Sequence, residues 1–341
     1  MRYLYFLLVL FCIASTSIAQ NKTEVFEISK PSTKILTSNY NKFTLIDVRD
    51  DTSKIGIVQK GMFNIKARLI CVPPLNIQLQ STFDSLINNS AKSNELVLLL
   101  QQLNFIETTY ALKELGLLHV RGVFFAKQEN KYCKLAEIDT MMIVQSIDVT
   151  KLLLKKGSAF LIDLLSYSLT IQASAYNLDN LVYLTAYDSL QKMGLPLYTT
   201  TRYKNGAYSN FEAFLNQQPT DSNINIEFYK SGHWKSVQLK NRKGKFEEVE
   251  LKNWYAFVFN NKIFISTSIH EVYTVEKKGN DFYFKGKIHI PASTSQTISM
   301  GVMFGLLGAL ASSAGNVEKT ELKIDYKTGA FIRSWQKSDN N

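Results

Sequence analysis

His119-Val-Arg-Gly-Val-Phe-Phe125 and Tyr132-Cys-Lys-Leu-Ala-Glu-Ile-Asp-Thr-Met-Met-Ile-Val144 stand on either side of the polar break Gln128-Glu-Asn130. Two β-prone runs around a short polar break read as a hairpin. What flanks this hairpin decides the fold class. Upstream, Phe43-Thr-Leu-Ile-Asp-Val48, the turn Arg49 to Lys54, and Ile55-Gly-Ile-Val58 read as strand, turn, strand. Between them and the hairpin, Leu75, Leu79, Phe83, Leu86 and Ile87 recur at helical spacing behind Pro73-Pro74, residues that suit a helix start and forbid an interior. Glu95 to Ile106 fits a strand or a helix. Downstream, Asp148 is placed to cap an apolar helix from Val149 to about Ile171. The order β-β-α-β-β-α predicts an α+β unit over residues 20–175, with helices on one face of a largely antiparallel sheet.

Residues 176–341 read as a second, mainly antiparallel β unit. Alternation places Ile224, Ile226 and Phe228 on one face, as it does Val249 with Leu251 and Leu322 with Ile324 and Tyr326. The turn signals Lys243-Gly244, Asn260-Asn261, Gly279-Asn280 and Thr328-Gly329 fall between the runs. One short helix is expected in Gly206-Ala-Tyr-Ser-Asn-Phe-Glu-Ala-Phe-Leu-Asn-Gln-Gln-Pro219, with Ser209 and Glu212 as a capping box and Pro219 closing the segment. Phe211, Phe214 and Leu215 then share one face, for burial on the sheet.

Gly206, Tyr208, Phe211, Phe214 and Pro219, the glycine-studded apolar block near residue 300, and Ile324-Asp-Tyr-Lys-Thr-Gly329 together resemble recurring features of bacteroidete-type envelope proteins. The resemblance covers about the last 140 residues. It implies a shared module without an activity attached to it. The order of elements in the first half, opening with Asp47-Val-Arg49, is similar in topology to small periplasmic lipoprotein domains.

The start, MRYLYFLLVLFCIASTSIAQ, has one arginine, an apolar run and small residues ending Ser-Ile-Ala, the build of a secretory leader over residues 1–19 cleaved near Gln20. Tyr3 to Ala14 is short for a bilayer span, and Phe11 ahead of Cys12 fits a lipidation signal poorly. Cleavage would take Arg2 from the 39 Lys+Arg, leaving 38 against 29 Asp+Glu and a net charge of +9. Such a chain is drawn to anionic surfaces, and with no basic-aromatic motif it gives no sign of nucleic-acid binding. Cys71 and Cys133 would remain, each in a strand-like apolar context that favours buried free thiols over a bridge.

Catalytic signals are sparse. Ser189-Leu-Gln-Lys192, Tyr208-Ser-Asn210 and Lys327-Thr-Gly329 mimic the three motifs of penicillin-binding serine hydrolases in order. The 15 residues between Lys192 and Tyr208 are too few to bring the second motif back to the first. His119, His233, His270 and His289 stand singly, without metal-ligand spacing, and no cofactor motif is present. Asp47 can pair with Arg49 on one strand face, and Asp50, Asp51, Thr52 and Ser53 suit a tight turn. Lys240, Arg242, Lys243 and Lys245 cluster at a hairpin tip beside Trp234, as an anion-binding finger would, with Glu247, Glu248 and Glu250 following at once.

The remaining feature is Met300-Gly-Val-Met-Phe-Gly-Leu-Leu-Gly-Ala-Leu-Ala-Ser-Ser-Ala-Gly315, which has no charge between Lys287 and Glu318. As a helix it sets Gly301, Gly305 and Ala309 on one ridge with Gly308 beside it, while Leu306 and Leu310 lie largely elsewhere. Residues 298–314 would reach about 26 Å at 1.5 Å per residue, short of a roughly 30 Å hydrocarbon core. The block is expected either to bury on its own sheet or to dock an envelope partner or membrane surface. The sequence therefore points to an exported, non-enzymatic accessory or interaction protein of the periplasm or envelope. A hydrolase of envelope polymers and a binding module for anionic glycans or lipids are the alternatives.

Overall fold

The computed structural model describes residues 22–61, 63–88, 91–110, 113–129, 131–173, 178–180, 183–184, 186–231, 234–267, 271–286 and 320–333. The expected leader and the apolar block at 298–314 lie outside them. Their architecture is α+β, in two lobes.

The first lobe is an eight-stranded sheet. Its strands are β1 (Thr23–Phe26), β2 (Lys42–Asp47), β3 (Gly56–Lys60), β4 (Ile65–Cys71), β5 (Glu95–Tyr110), β6 (Lys113–Gln128), β7 (Lys131–Ser146) and β8 (Leu178–Asn180). The order β1-β4-β3-β5-β6-β7-β8 has β2 beside β5 as well, and β8, beyond residue 175, belongs to this sheet. The quoted hairpin is the pair β6–β7, with Val120 opposite Thr140 and Phe124 opposite Ala136. Glu95 to Ile106 proves to be strand. β5 is buried on both faces, which erases the alternation that would have marked it.

The sheet is mixed where the sequence predicts an antiparallel one. β1 runs parallel to β4, and both β2 and β3 run parallel to β5. β2 and β3 therefore do not form a hairpin with each other. They follow one another along the same edge of β5, β2 against Glu95–Leu100 and β3 against Phe105–Ile106.

Helices α1 (Leu75–Leu86) and α2 (Thr150–Thr170) cover one face. Leu75, Leu79, Phe83 and Leu86 are buried there, as their spacing predicts, against Leu98, Leu100, Val120 and Phe124 from the strands. Asp148 does not cap α2. Val149 is the N-cap residue, no side chain caps the first turn, and the Val149 backbone N–H donates to Glu114 Oε2 of β6 at 2.8 Å. Among the described residues no helix is long and apolar enough to cross a membrane. Cys71 and Cys133 are free thiols, Cys133 buried and Cys71 half-buried, with burial pushing the Cys71 thiol up to about 11.

The opposite face of the sheet meets α3 (Tyr187–Met193), where Leu184 and Tyr187 pack on Val97, Leu99, Val123 and Phe125. The second lobe follows, with α4 (Pro196–Thr199), β9 (Gly206–Tyr208) and α5 (Phe211–Leu215). A three-stranded sheet is built from β10 (Ile224–Phe228), β11 (Trp234–Lys240) and β12 (Phe246–Glu248). It packs on a seven-stranded one made of β9, β13 (Ala256–Phe259), β14 (Lys262–Ser266), β15 (Val272–Lys278), β16 (Asp281–Gly286), β17 (Thr320–Ile324) and β18 (Phe331–Arg333). This is the predicted antiparallel meander. Asn260 and Asn261, at φ of 50° and 60°, turn β13 into β14, and Gly279 and Gly329 turn their own hairpins. Leu251 departs from expectation, opening a 3₁₀ turn instead of extending a strand.

Of the residues behind that resemblance, Tyr208, Phe211, Phe214 and Gly329 meet in one aromatic cluster with Tyr255. Tyr208 lies edge-on to Phe214 at 5.3 Å, Phe211 contacts Tyr255 at 5.5 Å, and the Tyr255 hydroxyl donates to the Gly329 carbonyl at 2.6 Å. Asn210, and not Ser209, caps α5: its Oδ1 accepts from the Ala213 N–H at 2.9 Å. The Ser209 hydroxyl instead bonds Thr220 Oγ1, so no capping box forms. Both glycines are required by the geometry. At Gly206 (φ 150°) a Cβ would stand 2.4 Å from Pro219 Cβ, and at Gly329 (φ 73°) it would stand 2.2 Å from Phe211 Cγ. Gly329→Ala should accordingly cost about 1–3 kcal/mol through strain and overpacking. The measurement is the urea midpoint; an unchanged midpoint would mean that Phe211 yields without cost.

Candidate functional site

The strands along one edge of β5 leave a gap between them. β2 leaves that edge at Leu100, where Val48 N–H donates to the Leu100 carbonyl, and β3 joins it at Phe105, whose N–H donates to the Ile55 carbonyl. Residues 101–104 have no strand partner on that edge. On the other edge, the pairing of β5 with β6 shifts between Leu100 and Gln102, making Gln101 the extra residue of a β-bulge. Bulges of this kind re-aim a side chain and interrupt pairing.

The gap opens into a recess between the lobes, with an empty volume of about 790 Å³ that includes the solvent at its mouth. Its walls are the loop from Val48 to Lys54, the bulged part of β5, Arg121 of β6, Asp188 of α3, and Lys323 with Ile332 of the last hairpin. Groups from both lobes thus line one space, with the apolar Val48, Ile55, Leu103 and Ile332 among its charged and amide residues.

Arg121 fastens its floor. Two nitrogens of the guanidinium donate to the Asp325 carboxylate at 2.5 and 3.1 Å, and Nε donates to Asp139 Oδ2 at 2.8 Å. Arg121 is 2% exposed and Asp325 3%. Burial alone would push the Asp325 carboxyl up, but the Arg121 charge and the hydrogen bonds from the guanidinium and Thr328 hold it below the usual carboxylate range. The same pairing outweighs burial for the arginine, raising its pKa. Asp325 also accepts from the N–H groups of Lys327 and Thr328, so the residue that ties the lobes together also shapes the turn before Gly329.

A rim of ion pairs surrounds this bond. Lys327 pairs with Glu137, and Lys134 donates to the same carboxylate at 2.5 Å; against the cost of burial, the two bring Glu137 down to about 2. Asp281 holds Lys192 at 2.8 Å and Lys323 at 3.0 Å. Although burial opposes it, Asp50 and Asp281 together raise the Lys323 pKa.

The sequence-predicted residues are placed as follows. Arg49 and Asp47 do pair, through bonds of 2.8 and 2.7 Å, and Asp51 does form a turn, accepting from the Ser53 N–H at 2.8 Å. Against burial, the Ser53 bonds and Lys54 lower the Asp51 carboxyl below its ordinary value. Ser189 and Lys192 point apart: Ser189 is exposed, while Lys192 is buried on Asp281 and lies over the Tyr326 ring at 4.9 Å. They form no nucleophile and base. Lys240, Arg242, Lys243 and Lys245 are all exposed at the β11–β12 tip, a turn ordered by Asn241, and none lines the recess. His119 is buried with its Nε2 2.7 Å from Asp139, and among the described residues no three His, Cys, Asp or Glu side chains gather as a metal site. His233, His270 and His289 lie outside the described residues, as do Gly301, Gly305, Leu306, Gly308, Ala309 and Leu310.

Sequence reasoning missed Gln101, Arg121, Asp188, Lys323 and Asp325. A signal was present in the two consecutive amides Gln101-Gln102, which follow the run Leu96-Val-Leu-Leu-Leu100 and interrupt it where the bulge forms.

No protein-family model and no curated protein matches this chain. Among solved structures, one described only as an uncharacterised protein aligns at 10% identity over 43% of this chain and 95% of its own, with a TM-score of 0.25. A Xanthomonas campestris protein of the DUF330 family aligns at 9% identity over 50% of this chain and 99% of its own, with a TM-score of 0.28. At these scores the likeness fixes neither the fold nor the function.

Proposed function

We propose that the protein is an exported accessory component of the cell envelope that holds a polar ligand between its lobes and does not transform it. The observation that carries this reading is the recess itself, built by both lobes and walled by charges already locked in pairs. Arg49, Lys54, Arg121 and Lys323 each have a carboxylate partner. Such a site is preorganised for recognition. A hydrolase of envelope polymers would draw on a pair of carboxyl groups in the recess, one of them raised toward neutrality; of Asp50, Asp51 and Asp188 there, Asp51 is held below its ordinary range. The secretory start and the resemblance to envelope proteins support the address, and contact with an envelope partner through residues 298–314 belongs to the same proposal.

The test joins address to chemistry. In cell fractions the protein is expected outside the cytoplasm with a mature start near Gln20, and purified protein is expected to release no soluble fragments from envelope sacculi. An intact Met1 in the cytoplasm would overturn the address, and fragment release would establish the hydrolase instead.

A further inference from the structure

A single exposed apolar side chain is ordinary on a protein surface, but a set of turns built from them is not. At one end of the first sheet the connections are polar, as turns usually are: Gln128-Glu-Asn130 between β6 and β7, and Asn88-Asn-Ser-Ala-Lys-Ser-Asn94 ahead of β5. At the opposite end they are not. β3 turns into β4 through Gly61-Met-Phe-Asn64, β5 into β6 through Ala111-Leu112, and β7 passes to α2 through Ile147-Asp-Val149. Ile147 is 85% exposed and Phe63 84%, the two highest values among the large apolar residues described.

These side chains are held out by braced turns. The Asn64 N–H donates to the Gly61 carbonyl at 3.0 Å, with Gly61 and Asn64 at φ of 70° and 50°, so the turn that carries Phe63 is closed. Gln59, two residues before Gly61, ties the neighbouring connections to it. Its carbonyl accepts from the Thr150 hydroxyl at 3.2 Å, and its Oε1 from the Thr109 hydroxyl at 2.5 Å. Beyond Ile147, Val149 is buried, which anchors that connection from beneath. Three turns are thus gathered into one end of the lobe.

The charges at this end suit a phospholipid surface. Each apolar turn residue is followed within four positions by a lysine: Phe63 by Lys66, Leu112 by Lys113 and Ile147 by Lys151. Lys66 and Lys151 are exposed. Of the acids nearby, Glu24 is paired with Lys60, Glu114 accepts the Val149 N–H, Glu107 is buried, and Asp148 is exposed. A protein interface gathers its apolar side chains into one covered core. Apolar residues on separate turns, each with a lysine behind it, match the interface of a bilayer, where the apolar group sinks below the phosphates and the lysine stem spans back to them. The formal net charge of +10 over the chain draws it to the same surface. We infer that this end of the first lobe docks on an anionic phospholipid bilayer, with Phe63 and Ile147 entering the lipid interface. The docking requires no ligand in the recess.

The experiment is flotation of the purified chain from Gln20 onward with vesicles of phosphatidylglycerol and phosphatidylethanolamine in equal parts. The wild type is expected to float. The double variant Phe63→Ser with Ile147→Ser should bind at least tenfold more weakly, and so should the wild type on vesicles of phosphatidylcholine alone. Leu36→Ser is the control: Leu36 is 78% exposed at the opposite end, where its carbonyl accepts from Asn88 Nδ2, and its loss should leave binding unchanged. Phe63→Trp reads insertion directly, through a blue shift of its emission when vesicles are added. The lipid comparison and the tryptophan do not depend on how the double variant folds. A wild type that stays down, equal binding to phosphatidylcholine, equal binding by the double variant, an equal loss in Leu36→Ser, or an unshifted tryptophan would each overturn the assignment. Sedimentation supplies the remaining outcome: a wild type that ignores vesicles but self-associates through Phe63 and Ile147 would make this end an interface between copies instead.

Discussion

Arg121→Met is expected to lower the stability of the folded protein by about 3–5 kcal/mol, the cost of leaving a buried carboxylate without its cation. Asp325 is the group abandoned. It is 3% exposed, and apart from the guanidinium its described partners are neutral donors of its own turn. Methionine occupies much of the same volume, so the loss reads the charge and not a cavity. The decisive comparison is the double variant Arg121→Met with Asp325→Asn. Asparagine keeps the oxygen that accepts from Lys327 and Thr328 but carries no charge, so it should recover most of the loss. Urea melts of the two single variants and the double variant at neutral pH measure this. A double variant no more stable than Arg121→Met would mean that the arginine acts through packing alone.

The second large effect is a dependence on pH. Glu107 lies on β5 beneath the start of α2 and is 2% exposed. Its Oε2 accepts from the Thr150 hydroxyl at 2.6 Å and from the Gln59 N–H at 3.2 Å. Burial raises its pKa from the ordinary 4.5 to about 7; the two hydrogen bonds oppose the rise, while the charges of Glu114 and Asp148 add to it. Between these two values the folded chain holds a proton that the unfolded chain has released. Stability from this group is therefore full below about pH 4.5, falls as the pH rises to about 7, and stays low above it. At 1.36 kcal/mol per unit, and discounting for residual solvation, the loss is of order 2–3 kcal/mol. Glu107→Gln keeps an oxygen for both donors and cannot ionise. The gap between the variant and the wild type should open across that window in favour of the variant. Melts from pH 4 to pH 8 are the test, and parallel curves would show that Glu107 is solvated in the native state.

The elements legible from sequence were those whose signal is local. Helix α1 declares itself by four apolar residues at helical spacing behind two prolines, and the hairpins of the second lobe by Asn and Gly at positive φ. What escaped was set by distance along the chain. The parallel pairing of β2 and β3 with β5 depends on which edge is vacant, and no residue in either strand reports that. The cap of α5 was misread by one position because Ser209 and Asn210 are both good caps, and Thr220, distant in sequence, claims the serine. The pairing of Asp47 with Arg49 was legible because the two stand only two positions apart, although Arg49 lies in the loop beyond β2 and not on its face. The recess as a whole was not, since Gln101, Asp188 and Lys323 are ordinary surface residue types until three distant segments bring them to one wall.

The bond between Arg121 and Asp325 spans 204 positions, and this has a consequence for synthesis. At about 5–20 residues per second, the ribosome delivers the aspartate roughly 10 to 40 s after the arginine. During that interval β5, β6 and β7 can assemble from neighbouring contacts, with Asp139, 18 positions away, already made as a partner for the guanidinium. The first lobe must wait with a charge half answered. The closing hairpin then acts as a latch between the lobes, and a chain halted before residue 320 would carry the first sheet with Asp139 but not Asp325 on its arginine.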